Sequence, residues 1–119
     1  MKQALAVACS LGFVALGCAS TPEPREEIGR AKLAIEQAER SGGTQHAELE
    51  MKLAHEKLAA ANRSLEARHY EPARRSAEQS EVDARLALIK ARRAEAAKAD
   101  HELEQTIQAM QEEIRHGTH

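Results

Sequence analysis

An all-α fold, either a three-helix bundle or a helical hairpin, with a long, coiled-coil-like and partly projecting third helix, is what this sequence predicts. Three observations lead to it. Apolar residues recur every three and four positions through most of the chain, the spacing of a single helix face. The composition is rich in Ala, Glu, Arg, Gln and Leu, with one Tyr, one Phe and no Trp, as in helix bundles and coiled coils. Neither Gly nor Pro interrupts the stretch from Ala73 to His116, which would span roughly 66 Å at the standard helical rise.

The first helix is expected over Glu26 to Arg40, where Ile28, Ala31, Ile35 and Ala38 step by three and four with Leu33 and Ala34 beside them. Ser41-Gly42-Gly43 ends it with a turn. Thr44 is the expected N-cap of a second helix, whose seam is Ala47, Met51, Ala54, Leu58, Ala61 and Leu65. Arg68-His69-Tyr70 closes that helix, and Pro72 suits the first turn of the third, where its missing N–H costs nothing.

The third helix carries two stripes. Val82, Leu86, Ile89, Arg93, Ala96, Asp100, Leu103, Ile107, Met110 and Ile114 form the larger-residue seam, spaced four and three with two charged interruptions. Ala73, Ala77, Ser80, Ala84, Ala87, Ala91 and Ala94 form a stripe of small residues that lets another helix approach closely. The expectation is that the first half of this helix packs on helix two, helix one completes the bundle, and the second half projects. Pairs of opposite charge stand four residues apart at Glu26 and Arg30, Glu36 and Arg40, Glu48 and Lys52, Glu71 and Arg75, and Glu81 and Arg85. Each contributes only about 0.2 to 0.5 kcal/mol. An alanine-dominated core buries little area, so an isolated monomer is expected to be marginally stable. The projecting seam of Leu103, Ile107, Met110 and Ile114 would supply the missing burial by pairing with itself or with a partner.

The N-terminal region has a different character. Lys2 followed by the apolar run Ala4 to Leu16 has the form of a secretory leader, expected over residues 1–17. The run is too short and too alanine-rich for a membrane span. Ala15-Leu16-Gly17-Cys18 follows and resembles the lipobox of bacterial lipoproteins, with Ala15 where Leu is usual. That resemblance implies a lipid anchor on Cys18 as the first mature residue. Ala15-x-Gly17 also suits an ordinary signal peptidase, which would leave a secreted soluble protein. Cys9 is discarded with the leader in either case, which leaves Cys18 unpaired. Residues 18–25, with Pro22 and Pro24, read as an extended tether. The helical domain is expected over 26–116 and a disordered tail over 117–119.

The 119 residues allow one small domain and no second core. Nineteen acidic side chains against 17 basic give a net charge of −2, and removal of Lys2 makes the remainder slightly more acidic. This balance favours neither nucleic acid nor anionic lipid. No Gly-rich turn or Gly-x-Ser-x-Gly elbow sets a nucleophile at a pocket, and no catalytic role or cofactor is expected. Six histidines are many for this length. His116-x-x-His119 has a spacing that metal sites use, but it brackets Gly117 at the terminus without a cysteine nearby. His46, His55, His69 and His101 fall in different parts of the pattern, and solvated surface histidines account for them better than a site does. Arg74-Arg75 and Arg92-Arg93 read as solvated faces rather than phosphate sites. Ala54-x-x-x-Leu58-x-x-Ala61 with Tyr70-x-x-Ala73 has tetratricopeptide-like spacing, but occurs once, where about three units are needed for a continuous core.

Taken together, the lipobox, the proline-bearing tether, Ala31-x-x-x-Ile35-x-x-Ala38, the Gly42-Gly43 break, Leu58-x-x-Ala61 and the Tyr70-x-x-Ala73-Arg74 joint resemble a family of short bacterial envelope lipoproteins. The helical domain of that family has no known function. The resemblance covers about Cys18 to Arg93, and some members carry a following OmpA-type peptidoglycan-binding domain, which is not expected within these 119 residues. It implies a lipid-anchored protein at the periplasmic face of the outer membrane. Ala19 agrees with that location, since similar lipoproteins retained in the inner membrane carry aspartate there. The expected function is that of a structural or protein-interaction component of the envelope, acting through a homo-oligomer or an envelope partner. The alternative is a small bundle that binds a metal ion or small ligand through its histidines.

Overall fold

The computed structural model describes residues 21–117. The expected leader, Cys18 and the last two residues of the expected tail lie outside the described residues. Four helices follow one another: α1 (Arg25–Arg40), α2 (Gly43–His46), α3 (Glu48–Glu66) and α4 (Tyr70–Gly117). All-α architecture with a long last helix is therefore what the chain adopts, with one short helix beyond the three expected. Gly117, expected in the disordered tail, is the last residue of α4.

α1 begins at Pro24, which is fully buried, and places Glu26 and Glu27 in its first turn, where carboxylates interact favourably with the exposed N–H groups. It stops at Ser41 because Gly42 takes φ +82°, a conformation glycine adopts at no steric cost. Gly43 is constrained differently. A Cβ there would sit 2.8 Å from the Ala38 carbonyl oxygen and 3.0 Å from the Met51 sulfur, so the turn depends on the close approach that its missing side chain allows.

Thr44 does not cap the helix expected after the turn. It lies inside the single turn of α2, and α3 starts at Glu48 after Ala47, which has extended φ −148° and no side-chain cap. Ala47 nonetheless closes α2 by donating its N–H to the Gly43 carbonyl at 2.8 Å.

α3 ends on a Schellman arrangement. The His69 N–H bonds the Ser64 carbonyl at 2.8 Å and the Arg68 N–H bonds the Leu65 carbonyl at 2.9 Å, with Arg68 at φ +58°. Glycine usually occupies this left-handed position, where other L-residues cost about 1 to 2 kcal/mol. Arg68→Gly should therefore raise stability by about 1 kcal/mol, read as a thermal midpoint higher by about 4 °C or more in circular dichroism. An unchanged midpoint would mean that the Arg68 side chain offsets the backbone cost.

The packing of α4 on α1 and α3 decides the rest. Ala73, Ala77, Ser80, Ala84, Ala87 and Ala91 are buried, against Ile28, Ala31, Ala34, Ile35 and Ala38 of α1 and Met51, Ala54 and Ala61 of α3. Most residues at the shared interface are Ala, with Ile28, Ile35 and Met51 the large exceptions, so helix backbones approach closely and the core gains contact density rather than volume. The Ser80 hydroxyl, also fully buried, donates to the Ala54 carbonyl at 2.7 Å, which satisfies its polarity within the helix contact.

Ion pairs give the helix directions. Glu27 with Arg74 and Arg30 with Glu81 advance together along α1 and α4, so these two run parallel. Lys57 with Asp83 and Glu50 with Lys90 advance in opposite senses, so α3 and α4 form the expected hairpin. From Glu95 to Gly117 every residue of α4 is exposed, and this half projects past the bundle. Of the expected four-residue pairs, Glu26–Arg30, Glu36–Arg40, Glu71–Arg75 and Glu81–Arg85 form. Lys52 turns instead to Glu56.

Candidate functional site

Of the two stripes on α4, the bundle takes the small one and leaves the larger-residue seam outside along its whole length. At about 100° per residue the two lie on opposite sides of the helix. Val82 is 65% exposed, Leu86 43% and Ile89 63%, although their neighbours Ala84 and Ala87 are fully buried. The same face continues through Leu103, Ile107, Met110 and Ile114, each exposed between 45% and 68%. The expected interaction seam is thus extended by Val82, Leu86 and Ile89 from the bundled half. An apolar row of this length on a small domain is the kind of surface that marks an interaction site, and its four-three spacing matches a helical partner.

Charge is segregated along α4. From Arg85 to Lys98 the helix carries Arg85, Lys90, Arg92, Arg93 and Lys98, with Glu95 the one acid. From Asp100 to Glu113 it carries Asp100, Glu102, Glu104, Glu112 and Glu113 and no Lys or Arg. Sequence periodicity alone misses this, because it scores apolar spacing and not the sign of charge along the rod.

The polar contacts of the bundle hold the helices in register. Glu81 is buried on α4, forms an ion pair with Arg85 at 2.6 Å and accepts a hydrogen bond from Arg30 at 3.3 Å. That hydrogen bond to Glu81 raises the Arg30 guanidinium further above its already high value. Glu50 is held below the ordinary carboxylate range, chiefly by the hydrogen bond from Lys90.

A carboxylate with a depressed folded-state pKa stabilises the fold at pH above its unfolded value, and that stabilisation fades as pH falls through the folded value. Thermal melts taken from neutral pH down through the carboxylate range should therefore fall less steeply for Glu50→Gln than for the native chain. Parallel curves would show that the Lys90 contact makes no difference to folding.

The histidines do not converge. His46 contacts Glu95 at 3.0 Å, His55 contacts Glu39 at 3.1 Å, and His101 contacts Gln105 on its own helix. Among the described residues no three His, Cys, Asp or Glu side chains stand together as a metal-holding group, and His119 lies outside them. The surface depressions are shallow clefts such as that between Lys57, Arg75, Glu78 and Val82. Cys18 is outside the described residues, and within them no helix is long and apolar enough to cross a membrane.

No curated protein and no solved structure matches the chain. A family model does match, over residues 26–112, from the first turn of α1 through most of the exposed seam of α4. The helices and the outer face described above are accordingly features of a recognised domain, and the chain belongs to the family defined as Domain of unknown function (DUF4398).

Proposed function

We infer that this protein is a lipid-anchored, periplasmic component of a bacterial cell envelope that works as a docking rod. Its activity is the association of the outer face of α4 with another helix. The observation that carries this reading is the row Val82, Leu86, Ile89, Leu103, Ile107 and Met110, large aliphatic residues that remain exposed while alanines fill the core of the same helix. Amphipathic helices that present anchors at this spacing are read by grooves or by other helices.

The anchoring part of the reading is supported by the leader over 1–17, the lipobox ending in Cys18, and the tether that runs from Cys18 to the buried Pro24. Because α1 and α4 begin at the same end of the bundle, the tether enters opposite to the projecting end of α4.

Metabolic labelling with an alkyne palmitate analogue tests the anchor. The native chain should take up the label and sediment with the outer membrane, and Cys18→Ser should lose both properties. Intact-mass measurement of an unmodified, freely soluble Cys18 terminus, or of a retained leader, would sink the anchored reading.

A further inference from the structure

We propose that the occupant of the outer face of α4 is a second copy of this chain, running antiparallel, with the twofold axis beside Lys98. This rests on the reading of that face as a docking surface, and it sets the two tethers at opposite ends of the paired rod. Three features of the helix lead to it.

The first is that the three outer seam residues on each side of position 98 are large and apolar and mirror one another in spacing. In an antiparallel pair of helices each core layer sets one seam residue against another at the mirrored position. Here Leu86 meets the partner's Met110, Ile89 meets the partner's Ile107, and Val82 meets the partner's Ile114. The same register also pairs Arg93 with the partner's Leu103 and Ala96 with the partner's Asp100. Large apolar layers then stand on both sides of a polar centre, over more than the three or four heptads that a stable coiled coil needs.

The second feature is the two charged interruptions. In the antiparallel register Arg93 lies one layer from the partner's Asp100, and the symmetry supplies the contact twice. A parallel in-register pair would instead set Arg93 against the partner's Arg93 and Asp100 against the partner's Asp100, two buried contacts of like charge. A parallel pair staggered by one heptad would relieve this but would not close on itself, leaving a sticky end on each copy. Polar residues in a seam fix orientation in this way.

The third feature is the charge that flanks the seam. Antiparallel pairing lays the basic half of α4 along the acidic half of its partner. Arg85 faces the partner's Glu113, and Lys90 faces the partner's Glu104, while Ala97 and Ala99 lie small on either side of the axis. Arg85 is 66% exposed at its side chain and already shares Glu81, and Lys90 is 48% exposed and bonded to Glu50. Both can therefore join a two-carboxylate network. In the parallel arrangement Arg85 would meet the partner's Lys90.

The bundle does not obstruct this pairing. α1 and α3 cover the small-residue stripe, on the far side of α4 from the seam. In the dimer the two bundles sit at opposite ends of one rod and on its outer flanks.

Disulfide trapping of the full chain in detergent tests the orientation, with the chain bearing no added cysteine as control. Two differently tagged copies, one Ile89→Cys and the other Ile107→Cys, should crosslink on oxidation, because facing seam positions bring their Cβ atoms within disulfide reach. Neither variant should crosslink with itself. Leu103→Cys alone should remain uncrosslinked, and its efficient self-crosslinking would establish a parallel pair and overturn the proposal.

Charge exchange gives a second measurement. Arg93→Asp and Asp100→Arg should each weaken dimerisation in sedimentation equilibrium by about tenfold, and the double variant should restore it. A monomer at all concentrations would remove the second copy as occupant. If the same seam still captured a different envelope protein in intact cells, and lost it on Leu103→Glu, the docking reading would stand without this one.

Discussion

Ala77→Leu and Ala84→Leu should each lower the thermal midpoint of the bundle by about 10 °C. Both alanines are fully buried where α4 meets the other helices, and Ala77 packs with Ile28 and Ala61 while Ala84 packs with Ile35, Met51 and Ala54. A leucine needs three more carbons of room at a contact set by backbone approach. The helices must then move apart, which breaks neighbouring alanine contacts as well, and overpacking of this kind costs typically about 1 to 3 kcal/mol. A domain with so thin a core has little stability in reserve, so the double variant should be largely unfolded at 37 °C. Ala109→Leu on the exposed half of α4 serves as the control and should change stability by less than about 0.5 kcal/mol. Equal melting of the buried and exposed variants would show that close helix approach does not hold this fold together.

The second large effect concerns association rather than folding. Leu103→Glu combined with Ile107→Glu should abolish self-association or partner capture, while far-UV circular dichroism and the thermal midpoint of the bundle stay near native. Both residues lie in the half of α4 that leaves the bundle, exposed at 59% and 45%, so their replacement removes no intramolecular core contact. Each buried leucine or isoleucine in a helix interface is worth roughly 2 kcal/mol of apolar transfer, and a carboxylate placed in the same layer must be desolvated without a partner. Two such changes outweigh the affinity that a single seam supplies. Association of undiminished strength, measured by sedimentation or by crosslinking in cells, would show that the seam is not the contact.

Much of this architecture was legible from spacing. The seam of α1 and that of α3 are buried or half-buried as their three-four steps imply, and the hairpin followed by a projecting segment is present. Periodicity could not decide which stripe of α4 enters the core, because Ala77, Ser80, Ala84 and Ala87 share the spacing of Leu86 and Ile89. The choice is made by the partners. Ala31, Ala38, Ala54 and Ala61 let α4 come close, and Ile28, Ile35 and Met51 beside them fill the room that its small stripe leaves.

The turn after α1 was harder to read. Gly43, Thr44, Gln45 and His46 form a single helical turn with no apolar repeat, held by carbonyls of Gly42 and Gly43 and by the proximity of Gly43 to Ala38 and Met51. Such tertiary reasons leave no periodic trace, and Thr44 therefore looked like a cap. The residues expected to mark an anchor, Cys18 above all, lie outside the described part of the chain, while the seam residues lie on one open face with Val82, Leu86 and Ile89 added to them.

Past Glu95, whose carboxylate meets His46, every described residue of α4 is exposed. Its length is consequently a free parameter. Inserting or deleting seven residues in that half would lengthen or shorten the rod by about 10 Å and return every remaining side chain to nearly the same angular position. The core would not register the change. Relatives could differ in span by whole heptads while keeping one and the same bundle, and a series of such insertions would turn the helix into a molecular ruler whose graduations are set by the backbone alone.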